Sequence, residues 1–73
     1  MKEKKKLLSE IGEEIKKARK AKGLTLADLE ATTDLSKKQL IKIEQGKVNL
    51  TAYSLYKLVY VLELNPAKLL NPE

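Results

Sequence analysis

The chain contains no cysteine and no histidine, its only aromatic residues are three tyrosines, and it has two prolines in 73 residues. Without cysteine there is no disulfide framework and no thiol chemistry, and without histidine there is no imidazole for a metal or a proton relay. The acids and lysines that remain fall into no spacing that gathers two carboxylates and a nucleophile, so no catalytic residue is assigned and an enzyme is not expected. No apolar run approaches the roughly 20 residues that span a bilayer. Nor does the N-terminus carry a signal peptide's hydrophobic segment. The expectation is a cytoplasmic protein with no membrane, metal or cofactor. The length suits one domain with a small core, stabilised by economical packing of helices.

Positive charge is present and unevenly spread. Residues 1–22 hold nine Lys/Arg against four Asp/Glu, whereas residues 23–73 hold six of each, so the whole excess lies upstream. Residues 1–8, beginning MKEKKK, read as a basic N-terminal tail ahead of a domain over 9–71. The plain reading of that tail is a solvated, frayed end. The sharper one is a basic arm that follows a DNA backbone or enters a neighbouring groove.

The densest information lies in residues 24–46, LTLADLEATTDLSKKQLIKIEQG. Thr25 followed by Asp28, and Ser36 followed by Gln39, each form a capping box in which side chain and backbone amide satisfy each other at a helix start. Two starts eleven residues apart leave about two turns of helix and a connection near Thr33 to Leu35. The pair must cross steeply. Leu24 and Leu29 give the first of these helices its apolar stripe, and Leu35, Leu40 and Ile43 give the second one. The opposite face of the second carries Lys37, Lys38, Ile41 and Lys42. A capped, lysine-bearing helix held at a corner is the geometry that puts a helix N-terminus into a DNA major groove.

Around this pair the expectation is an all-α fold of five helices. The first runs from about Ser9 to Ala21 with Ile11, Ile15 and Ala18 on one face, and Gly23 is placed to turn left-handed after it. Gly46 ends the third, Thr51 caps a fourth over about Ala52 to Leu62, and Asn65-Pro66 opens a short fifth that buries Leu69 and Leu70. On the fourth helix Leu55, Leu58, Val59 and Leu62 converge on one side and Tyr53, Tyr56 and Tyr60 on another. Those tyrosines either cover leucines with their hydroxyls in water or form a dimer or partner surface.

Three segments, IGEEIKKARKAKGLT from Ile11 to Thr25, LSKKQLIKIEQG from Leu35 to Gly46 and VLELNPAKLL from Val61 to Leu70, resemble the Cro/cI family of phage repressors, also called the XRE family. The resemblance covers about Ile11 to Leu70. It implies a five-helix lambda-repressor-like helix-turn-helix domain that binds operator DNA, usually as a symmetric dimer on a pseudo-palindrome. By the same resemblance Arg19 and Glu44 form an ion pair tying the first helix to the end of the third. Thr25 and Ser36 fall where relatives touch phosphates, Lys37, Lys38 and Lys42 where they reach base edges, and Lys47, Asn49 and Gln45 where they meet the DNA backbone. Lysine can donate to guanine O6 and N7, though less discriminatingly than a planar side chain. Gln39 is divided between a DNA contact and its place in the capping box, the latter being the better match.

The sequence departs from the family pattern in places. Leu26 replaces a polar residue that bonds a phosphate in relatives, and an aliphatic side chain cannot donate. Glu30 stands at a helix crossing where a small residue is usual, so its charge must find water or a lysine. Asp34 and Glu63 stand where glycine is common. Ile41, in the middle of the lysine face, suits thymine methyls or a protein contact.

The function these features imply is a sequence-specific DNA-binding transcriptional regulator, a repressor or controller acting as a homodimer without cofactor. Two alternatives stand beside it. One is an antitoxin that represses its own operon while holding a toxin, and the other is a helix-turn-helix module given over to protein binding.

Overall fold

The computed structural model describes residues 2–47 and 50–65, with side chains from Lys6 onward. Four helices and no strands occur among the described residues: α1 over Lys2–Ala21, α2 over Leu26–Thr33, α3 over Lys37–Glu44 and α4 over Ala52–Leu62. The fold is thus all-α as expected, but with four helices shown and not five. The short helix expected from Asn65-Pro66, with Leu69 and Leu70, falls beyond Asn65 and outside the described residues.

α1 corrects the expected start at Ser9. Helix begins at Lys2, so the segment read as a frayed tail forms its first turns. Lysine, glutamate and leucine are all strong helix formers, and no glycine or proline interrupts them before Gly12, so Ser9 is passed over as a cap. At the other end Arg19 and Lys20 suit the negative pole of the helix, and Gly23 (φ 69°) reverses the chain. The Gly23 amide donates to Lys20 O and the Leu24 amide to Arg19 O, both at 3.0 Å, which is a Schellman ending. Gly46 (φ 71°) closes α3 in the same way.

α2 and α4 end on residues that are not glycine. Asp34 (φ 62°) and Glu63 (φ 57°) both take the left-handed conformation, at a cost of about 1–2 kcal/mol for most residues and less for aspartate. Each carboxylate finds a lysine: Asp34 Oδ2 lies 3.3 Å from Lys57 Nζ, and Glu63 Oε1 lies 2.6 Å from Lys22 Nζ. The Lys22 ammonium holds the Glu63 carboxyl below its ordinary pKa. Both carboxylates lie at the surface, where water screens the attraction, so the pairs offset the backbone cost only in small part.

The connection between α2 and α3 is Asp34 to Ser36, one residue later than expected, because Thr33 belongs to α2. Thr33 is fully buried yet satisfied: its hydroxyl donates to Leu29 O at 2.6 Å and accepts the Leu35 amide at 3.2 Å. Local bonding of this kind lets a threonine carry the helix into the turn.

The core is Ile11 and Ile15 from α1, Leu29 from α2, Leu35 from the turn, Leu40 and Ile43 from α3, and Leu58 and Leu62 from α4. Ala18, Leu24, Leu55 and Val59 pack around it half-buried. α1 and α3 approach so closely that backbone nearly meets backbone. A Cβ on Gly12 would lie 2.5 Å from the carbonyl oxygen of Ile43 and 2.7 Å from that of Glu44. Gly46 sits equally tight on Ser9, whose Cα would be 2.7 Å from an added Cβ.

Candidate nucleic-acid interface

Both capping boxes are complete. Thr25 Oγ1 accepts the Asp28 amide at 3.0 Å while Asp28 Oδ2 accepts the Thr25 amide at 2.8 Å, and that amide in turn lowers the Asp28 pKa. Ser36 Oγ accepts the Gln39 amide at 3.1 Å while Gln39 Oε1 accepts the Ser36 amide at 3.1 Å. Of its two readings, Gln39 therefore has its carbonyl oxygen engaged in the cap. Thr25 and Ser36 remain exposed at the heads of α2 and α3.

Lys37, Lys38, Ile41 and Lys42 are all exposed, and Leu40 and Ile43 are buried beneath them. At 100° per residue the four fall within one outward sector of α3. Ile41 is 38% exposed at its centre. Gln45 and Lys47 are exposed past the C-terminus of α3, whereas Asn49 lies outside the described residues.

The orientation of that face is braced from behind. Arg19 Nε donates to Glu44 Oε2 at 2.7 Å and Nη2 to Oε1 at 3.1 Å, a forked pair whose side chains are only 10% and 7% accessible. Arg19 Nη1 donates to Leu24 O at 3.0 Å, so one guanidinium ties α1, the α1–α2 link and the end of α3. The bonds to Glu44 raise the Arg19 pKa against the opposing effect of burial.

Two departures from the family pattern find a physical account. Leu26 is half-buried and packs on the core, so it has exchanged a polar role for an apolar one. Glu30 is satisfied by backbone, where water or a lysine was expected: its Oε2 accepts the amide of Lys37, at the head of α3, at 3.1 Å. The spacing of Glu30 and Lys37 gave no sign of this, because it depends on how the turn folds.

On α4 the tyrosines divide. Tyr53, Tyr56 and Tyr60 are 62%, 66% and 76% exposed, so none belongs to the core. Tyr56 and Tyr60 stack with ring centroids 6.4 Å apart and border a groove with Thr32 and Val61. Tyr53 instead lies under Lys57, whose Nζ is 5.0 Å from the ring centroid and also bonds Asp34. Tyr53 and then Asp34 raise the Lys57 pKa. Sequence reading missed Lys57, which ties α4 to the turn between α2 and α3. An i, i+4 lysine after a tyrosine was the available hint.

Similarity to known proteins agrees with this geometry. A family model described as a helix-turn-helix domain matches residues 12–73. An uncharacterised HTH-type transcriptional regulator, y4dJ, of Sinorhizobium fredii (strain NBRC 101917 / NGR234) is 32% identical over 62 residues, which is 85% of this chain and 80% of that protein. No solved structure matches the chain significantly. The match of the helix-turn-helix family model, with two capped helices joined by a three-residue turn and tied to α1 through Arg19 and Glu44, places the chain in the Cro/cI, or XRE, family of helix-turn-helix DNA-binding domains.

Proposed function

We propose that the protein is a transcriptional regulator of the repressor or controller kind that binds operator DNA in the cytoplasm as a symmetric dimer. The observation that carries this reading is the exposed lysine face of α3, capped at its head by Ser36 and Gln39 and held from behind by Arg19 and Glu44. Lys37, Lys38 and Lys42 read base edges, while Thr25, Ser36, Gln45, Lys47 and Asn49 meet the DNA backbone. Ile41 adds apolar contact to thymine methyls. The basic residues at 1–8 add long-range attraction.

A reader and an anchor respond differently to truncation. Lys38→Ala is expected to flatten preference at one or two base pairs, and Lys47→Ala to weaken all duplexes alike while reducing the salt slope by about one. Binding-site selection from random duplexes, repeated with each variant, checks this. Uniform weakening by both variants refutes the base-reading role of Lys38. Tight, salt-independent capture of a protein, with no duplex bound, favours a protein-binding module instead.

The stacked pair Tyr56 and Tyr60 supplies the two-fold contact in this reading. Two protomers then present two α3 helices to half-sites about one helical turn apart, and weak association suffices because both halves grip together. Tyr56→Glu with Tyr60→Glu is expected to leave helicity and thermal unfolding nearly unchanged and to abolish cooperative occupation of a two-half-site duplex. Gel-shift titration with sedimentation measures it. Unchanged cooperativity moves the dimer contact elsewhere.

A further inference from the structure

The head of α3 holds a charge that capping does not require. Ser36 already supplies its hydroxyl to the Gln39 amide and its carbonyl to the Leu40 amide. The remaining contact at the first turn is different in kind: Glu30, exposed on α2, reaches across the turn and accepts the Lys37 amide through Oε2. A carboxylate suits the positive pole of a helix and so stabilises the fold locally. The same bond fixes one full negative charge beside Lys37, the first residue of the lysine face. Any other acceptor, a neutral amide included, would satisfy that N–H without the charge.

We propose that Glu30 sets the duplex affinity of this domain, by holding a fixed carboxylate at the end of α3 that meets the phosphate backbone. The proposal rests on the reading of α3 as the DNA-facing helix. Phosphates repel the carboxylate whatever the base sequence, so Glu30 weakens operator and unrelated duplex by the same factor and leaves their ratio alone. Anchoring matters to the effect. A glutamate sweeping through solvent would swing away from an approaching phosphate, whereas this one must first break its bond to the Lys37 amide. Lys37, Lys38, Lys42 and Lys47 supply the attraction that it subtracts from.

Glu30→Gln tests this because the amide oxygen still accepts from Lys37 while the charge is gone. At low salt the variant is expected to bind about three to ten times more tightly than the native protein, with the advantage shrinking as salt rises. Two probes are used: a duplex recovered by selection from random sequences and an unrelated duplex of equal length. Both should gain alike. The unfolding temperature should fall slightly for Glu30→Gln, which keeps the acceptor but loses the carboxylate's attraction to the helix pole, and further for Glu30→Ala, which removes the acceptor too. Both should still bind more tightly. If Glu30→Gln binds both duplexes as the native protein does, Glu30 is a cap alone and the proposal falls. If neither native nor variant protein binds duplex in a salt-dependent way, the DNA reading itself fails and takes the proposal with it.

Discussion

Gly12→Ala is expected to destabilise the domain by about 1–3 kcal/mol net, although alanine in place of a helical glycine ordinarily stabilises by about 1 kcal/mol. The sign reverses because the added methyl has nowhere to go. Its nearest neighbours are the carbonyl oxygens of Ile43 and Glu44, and backbone in the last turn of α3 cannot rotate aside as a side chain does. The helices must therefore separate, which loosens Ile11 and Ile15 against Ile43 and stretches the Arg19–Glu44 fork. Stability for a chain of this length is only on the order of 4–11 kcal/mol, so the loss is a large share of it. Gly23→Ala is the control. Gly23 has open space around it and a φ of 69°, so it should lose only about 1 kcal/mol, from backbone strain without collision. Urea unfolding of both variants decides the matter: a Gly12→Ala protein as stable as the native one means α1 and α3 do not approach as closely as described.

Removing either member of the buried fork should cost roughly 1–3 kcal/mol, because the survivor is left charged in a site that water barely reaches. Arg19→Ala also strands the Leu24 carbonyl, so it should be the more damaging of the two. With both gone, no charge is left unpaired, and the double variant should lose less than the sum of the singles. A cycle of Arg19→Ala, Glu44→Ala and the pair, measured by urea unfolding, reads this coupling directly. Strict additivity means that the fork contributes nothing beyond its separate parts. In the proposed function the loss reaches DNA through α3, which would no longer be held at one angle to α1.

The local chemistry of the chain was legible in its letters. A hydroxyl and an acceptor three residues apart can meet only across one helical turn, so Thr25 with Asp28 and Ser36 with Gln39 announced the starts of α2 and α3 without any knowledge of the fold. Gly23 and Gly46 announced two ends for the same reason, and the 3.6-residue period separated Leu58 and Leu62 from the exposed tyrosines. The start of α1 is not legible in the letters, because a lysine-rich segment suits a helix and a solvated tail equally well, and only the structure carries the helix back to Lys2. What needed the tertiary structure were the contacts whose partners lie far apart in the chain or across a corner. That Gly12 must lack a side chain follows from the approach of α3, that Glu30 faces the Lys37 amide follows from the turn between them, and that Lys57 joins Tyr53 to Asp34 follows from how α4 docks. Spacing along a helix fixes which residues share a face; the crossing of two helices, set by the packing of all of them at once, fixes which faces meet.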